Sequence, residues 1–133
     1  MNIKRTNSSS KVAALPLVLI VDDSEVARAV VQETLQAAGF RVIALESAFG
    51  FTKVVREHEP ALILVDVGLA SMNGTKLVQL GRQYAPSHTR IVLYSGRDEA
   101  SLARDARESG ANGFIHKRTT DQALVRAVYS FLA

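Results

Sequence analysis

The chain has 133 residues, 47% hydrophobic and 22% charged, which suits one soluble domain with a single buried core. It contains no cysteine, which excludes disulfides and thiolate metal sites and is compatible with a reducing compartment. The formal charge of +3 is the balance of 16 Lys and Arg, spread along the sequence, against 13 Asp and Glu, and five Phe and three Tyr are too few to interleave with the basic residues. Such basic residues form a solvated surface, not a nucleic-acid footprint.

"MNIKRTNSSSK" followed by "VAALPLVLIV" imitates the charged and apolar regions of a secretory leader. "DDSEVAR" then stands where a small-residue cleavage site belongs, and Pro16 interrupts a run already too short to span a membrane. The expectation is a flexible polar tail over residues 1–14, one domain over residues 15–133, no membrane partner and a cytoplasmic location.

The first predicted strand is "LVLIV" (17–21). Ser24 then caps a helix whose apolar positions include Val26, Val30, Val31 and Leu35, with Gly39 beyond its end. "RVIAL" (41–45) is the second strand, and the connection from Ser47 to Glu57 carries Phe51, Val54 and Val55 before Pro60. "ALILV" (61–65) precedes a helix over Asn73 to Tyr84, with Leu77, Val78 and Leu80 on it and Pro86 after it. "RIVLY" (90–94) leads to a helix over about Asp98 to Ser109. Leu102 is its one large apolar residue, joined by Ala100, Ala103 and Ala106, so it should be the most loosely anchored element. "GFIH" (113–116) is a weaker fifth strand, and Thr119 with Gln122 resembles a capping box before "ALVRAVYSFLA". None of the strands alternates cleanly, as expected for strands covered on both faces. Five alternations of strand and helix define an α/β doubly wound sandwich with a five-stranded parallel sheet.

Ligands of open α/β sheets bind outside the carboxyl ends of the strands. Asp22 and Asp23 end the first strand, Asp66 the third, Ser95-Gly96 the fourth and Lys117 the fifth. Glu46 ends the second strand without such company and reads as surface. Three carboxylates share a small site only with a cation between them, so Asp22, Asp23 and Asp66 are read as holding Mg²⁺, a hard ion that takes oxygen ligands and phosphate. A carboxylate attacking phosphorus gives an acyl phosphate. Lys117 and Mg²⁺ would neutralise the transferring phosphoryl group, and the Ser95 hydroxyl would bond one of its oxygens.

With "VLIVDDS", "LILVDVGLASMNG", "IVLYSG" and "GANGFIHK" in place, the sequence resembles the receiver domain of two-component response regulators over residues 17–133. The resemblance implies the flavodoxin-like (βα)₅ fold, Asp66 as phosphoacceptor, and Asp22 and Asp23 as the acidic metal pair. It further implies the Gly68 backbone carbonyl as a metal ligand, Ser95 as switch hydroxyl, Lys117 as phosphate-binding lysine and Phe114 as switch aromatic. The phosphoryl donor would be a histidine kinase or a His phosphotransfer protein. The output surface would be the fourth helix, fifth strand and fifth helix, read by a downstream protein target. Phosphorylation-dependent dimerisation is left open.

Arg118 replaces the family's Pro after the lysine, which questions the cis peptide there. Ala70 replaces its Pro four residues beyond Asp66, and Phe114 its commoner Tyr. Arg97 is free either to lean over the phosphate site or to be solvated. The three histidines, His58, His88 and His116, show no ligand spacing. Two other roles compete: a phosphorelay intermediate, and a phosphatase using Asp66 as nucleophile. The phosphatase lacks a general acid, because Gly68 stands two residues after Asp66 with no side chain. The chain ends at Ala133, directly after the last predicted helix, so no DNA-binding domain and no direct nucleic-acid contact are expected.

Overall fold

The computed structural model describes residues 15–133; the tail expected over 1–14 lies outside the described residues. Strands and helices alternate throughout: β1 (Leu17–Val21), α1 (Glu25–Ala37), β2 (Arg41–Leu45), α2 (Phe51–His58), β3 (Leu62–Val65), α3 (Gly74–Tyr84), β4 (Arg90–Ser95), α4 (Glu99–Ser109), β5 (Gly113–His116) and α5 (Asp121–Leu132). All five strands are parallel, in the order β2-β1-β3-β4-β5. The chain reverses its winding after β2, so the switch point lies between β1 and β3.

The strands read as unbroken apolar runs because both faces of the sheet are covered. Successive residues still part company. Leu19, Val21, Ile63, Val65, Ile91 and Leu93 pack under α2, α3 and α4 with Phe51, Leu77 and Leu102. Val18, Ile20, Leu62, Leu64, Val92 and Tyr94 face α1 and α5 with Leu35, Leu124 and Val128. Period-two geometry thus survives inside a sequence that hides it.

The structure refines two local readings and corrects a third. In α1 only Val31 and Leu35 are buried, whereas Val26 and Val30 are 74% and 40% exposed. Those two pairs sit on arcs roughly 140° apart on a helix of 3.6 residues per turn, and the sheet covers one arc. Within the connection from Ser47 to Glu57, α2 starts at Phe51, because Gly50 turns the chain at φ +81° and the Ala48 N–H is held by the Ser71 hydroxyl. The cap of α5 is Thr120, whose Oγ1 accepts from the Ala123 N–H; the Thr119 N–H instead closes a turn onto the His116 carbonyl. In α4 Leu102 is the large buried residue, as expected, and Ala106 and Ser109 complete the buried face, whereas Ala100 is exposed and Ala103 half-buried.

The amino end of the sheet is stapled by Arg82. Its Nε donates to the Gly110 carbonyl at 3.3 Å, its Nη1 to the Thr89 carbonyl at 2.8 Å and its Nη2 to Asn112 Oδ1. Thr89 Oγ1 in turn donates to the Pro60 carbonyl at 2.8 Å. At the opposite end α3 begins hard against the backbone beyond β3. A Cβ added at Gly74 would lie 2.7 Å from the Val67 Cα and closer still to the Asp66 carbonyl. Gly74→Ala is expected to cost about 1–3 kcal/mol in urea unfolding, the usual range for overpacking. An unchanged midpoint would show that the start of α3 yields freely.

Candidate functional site

Backbone pairing continues past the strand ends and places the polar residues. The Asp22 N–H donates to the Leu45 carbonyl, the Asp66 N–H to Val21 and the Lys117 N–H to Ser95, each at 2.9–3.0 Å. Asp22, Asp23 and Asp66 therefore meet at the switch point, with carboxylate oxygens within 4.8 Å of one another.

Asp22 is fully buried. Its Oδ1 accepts from the Ser24 N–H at 2.9 Å, while its Oδ2 has the Lys117 ammonium at 2.7 Å but no hydrogen bond of good geometry. Asp23 is exposed, and its Oδ2 accepts from the Ala70 N–H at 3.1 Å. That donor exists because position 70 is not proline. Asp66 is buried; its Oδ1 accepts from the Gly68 N–H at 3.1 Å and its Oδ2 lies 3.5 Å from Lys117 Nζ. Three carboxylates against one ammonium leave a formal charge of −3 + 1 = −2, and one buried oxygen lacks a donor. Oxygen-only donors with that charge fit a hard divalent cation.

Burial pushes the Asp66 carboxyl above the usual carboxylate range, and the charge of Asp22 adds to this; the Gly68 N–H and Lys117 pull the other way. A raised folded-state value means that stability is greatest below the unfolded value and is lost as pH rises through the folded one. In EDTA, Asp66→Asn should therefore be more stable than wild type at about pH 7, and the gap should shrink near pH 4. Equal melts at both pH values would show that the site tolerates its charge.

Ser95 is buried, and its Oγ accepts from the Arg97 N–H at 3.2 Å. Arg97 is exposed, and its Nη1 pairs with Asp105 Oδ2 at 3.1 Å. Phe114 is half-buried on β5, packed against the cluster under α2, α3 and α4. Among the described residues there is no cis peptide, so the Lys117–Arg118 bond is trans. His116 Nδ1 accepts from the Arg118 N–H at 3.0 Å, and no described histidine joins a metal-binding cluster. Arg28 was not legible as a site residue. Its Nη1 donates to the Asp22 carbonyl at 2.8 Å and its Nη2 lies 3.9 Å from Glu46, which fastens the start of α1 to the acidic strand end.

A doubly wound parallel sheet with acids and one lysine gathered at its switch point defines a class, the CheY-like signalling domains. The sequence matches the response regulator receiver domain over residues 18–129, and the chain belongs to that family. It is 29% identical over 112 residues to the chemotaxis protein CheY of Bacillus subtilis, covering 84% of this chain and 92% of that one. It is 28% identical over 117 residues to BvgA, a transcription regulator of virulence factors in Bordetella pertussis, covering 87% of this chain and 56% of BvgA. The chain thus spans about half the length of the transcription regulators it matches. Among solved structures, the chemotaxis protein CheY4 of Vibrio cholerae superposes with a TM-score of 0.81 at 26% identity, over 90% of this chain and 100% of that one. The CheY-like receiver of Methanospirillum hungatei JF-1 has the same fold, with a TM-score of 0.81 at 22% identity over 90% of this chain and 94% of that one. No helix among the described residues is long and apolar enough to cross a membrane.

Proposed function

We propose that Asp66 accepts a phosphoryl group from the phosphohistidine of a histidine kinase or His phosphotransfer protein in the cytoplasm. The phosphorylated form then presents an altered α4–β5–α5 surface to a downstream protein. The observation that carries this reading is the −2 cluster of Asp22, Asp23 and Asp66 around the buried Lys117 contact. A carboxylate oxygen of Asp66 attacks phosphorus, the P–N bond breaks, and its electron pair stays on the imidazole nitrogen. Asp22, Asp23, Asp66 and the Gly68 carbonyl would hold Mg²⁺, which supplies positive charge to the phosphoryl oxygens. The Gly68 N–H fixes one Asp66 oxygen. Lys117, 3.5 Å from the other, is within reach of an added phosphoryl oxygen. Ser95 Oγ accepts from Arg97 and keeps its own hydrogen to donate. No side chain at Gly68 serves as a general acid, so turnover is limited to slow self-dephosphorylation, not catalysis on other phosphoesters.

Incubation with acetyl phosphate and Mg²⁺ should add one phosphoryl mass, mapped to the peptide carrying Asp66 and prevented by EDTA. Labelling that ignores EDTA, or that maps elsewhere, refutes the reading. The output surface is tested separately by amide exchange with and without beryllofluoride. A cleft of about 490 Å³ lined by Gly96, Glu99, His116 and Arg118 already separates the start of α4 from the end of β5. A charge-assisted bond from Ser95 is worth about 1.5–3 kcal/mol, enough to shift a weakly biased pair of states. Exchange changes should concentrate at residues 95–118. Changes confined to α1 or α2 would place the output elsewhere.

A further inference from the structure

We propose that Ala70 is a positioning residue: its backbone N–H holds the Asp23 carboxylate beside Asp22 and Asp66 before any cation arrives, and so sets the affinity of the site for Mg²⁺. The inference rests on the reading of the three acids as a Mg²⁺ site. Asp22 and Asp66 are buried and fixed by their surroundings, whereas Asp23 is exposed. An oxygen of Asp23 nevertheless lies within 4.8 Å of theirs, in a cluster where Lys117 offsets one of three negative charges. Like charges that close repel, and an exposed side chain escapes by rotating into water. What restrains Asp23 comes from 47 residues further along the chain, where the Ala70 N–H donates to its Oδ2 at 3.1 Å.

Ala70 can hold Asp23 because the loop between β3 and α3 is itself fixed. Leu69 is buried and Met72 packs against the same cluster under α2, α3 and α4, with exposed Ala70 and Ser71 between them. Both exposed residues are tied sideways. Ala70 reaches Asp23 just beyond β1, and the Ser71 hydroxyl accepts from the Ala48 N–H at 2.9 Å, in the connection after β2. A short bridge therefore runs from that connection through Ser71 and Ala70 to Asp23. An N–H bond to a carboxylate is charge-assisted, and a rotamer selected beforehand need not be ordered again when the cation binds. Mg²⁺ demands near-ideal geometry, so an oxygen already in place favours it more than one still to be recruited. A carboxylate has two oxygens, and the bond to Oδ2 leaves Oδ1 to serve as a ligand. Proline, the family's usual residue at this position, has no N–H to give, so the bridge is this chain's own.

Metal-free full chain, titrated with Mg²⁺ at constant ionic strength and followed by thermal melting, tests the bridge. Ala70→Pro should need about three- to tenfold more Mg²⁺ than wild type for the same rise in melting temperature, the scale of ordering one side chain. Ala70→Ser keeps the N–H and should match wild type, and Ser71→Ala, which frees the loop from Ala48, should fall between. In an Asp23→Ala background, with no carboxylate to hold, Ala70→Pro should change the Mg²⁺ dependence no further. Wild-type Mg²⁺ affinity in Ala70→Pro overturns the proposal. So does an equal loss in the Asp23→Ala background, the mark of a merely structural Ala70, or an equal loss in Ala70→Ser. Should Ala70→Pro not fold in EDTA, Ser71→Ala decides, and a wild-type response in it overturns the bridge. A wild-type melt that ignores Mg²⁺ refutes the metal reading and the bridge with it, whereas a Mg²⁺-dependent melt shared equally by Ala70→Pro refutes the bridge alone.

Discussion

Asp66→Asn should take up no phosphoryl group from acetyl phosphate or phosphoramidate, with labelling slowed roughly a thousandfold or more, as for loss of any essential nucleophile. An amide oxygen is a far poorer nucleophile than a carboxylate, and its product is not an acyl phosphate. The substitution is otherwise mild. The Asn oxygen still accepts from the Gly68 N–H, which now holds Asp66 Oδ1 at 3.1 Å, and the change removes a carboxylate that burial and Asp22 disfavour. The variant should therefore fold at least as well as wild type, so that loss of label reports chemistry. A folded Asn variant that labels at the wild-type rate would move the acceptor to another residue.

Lys117→Met should be the most damaging single change at the site in metal-free protein, costing about 3 kcal/mol in urea unfolding. That figure is the lower end of the loss on orphaning a buried charge, because the lysine side chain is 24% exposed while Asp22 is 0% exposed. Methionine keeps the aliphatic stem, so the loss reports the ammonium and not packing. Without it, Asp22 Oδ2 has neither a hydrogen bond nor a cation. Mg²⁺ should then restore more stability to Lys117→Met than to wild type, because the acids have lost their own cation. Equal stability of the two proteins in EDTA would mean that solvent already satisfies Asp22.

The strands were legible to within one residue because a fully covered parallel strand is an apolar run with polar ends, and both features are local. The gathering of Asp22, Asp23, Asp66 and Lys117 followed from one topological rule applied to those ends. The covered arc of α1 is a different matter. Val26, Val30, Val31 and Leu35 all suit a helix, and only the sheet beneath decides that the second pair is buried. Thr119 and Thr120 are chemically the same cap, and the His116 carbonyl chooses between them by claiming the Thr119 N–H. Arg28 on Asp22, Ala70 on Asp23 and Arg97 on Asp105 join side chains or amides whose directions follow from packing. No spacing in the sequence announces them.

The Arg82 staple makes α4 a lever. Arg82 grips the Gly110 carbonyl, just beyond the carboxyl end of that helix, and fastens it to the start of β4 and to Asn112. The other end of α4 follows the Ser95–Arg97 loop, whose ties are the Arg97 N–H on Ser95 Oγ and the Arg97 guanidinium on Asp105 of the same helix, and is capped by Asp98. Eleven residues at 1.5 Å each make an arm of about 16 Å. A tilt of about 5° at the fixed end then carries the free end through roughly 1.4 Å, about half a hydrogen-bond length. A rotation about that fixed end would move Glu99 most and Ser109 least.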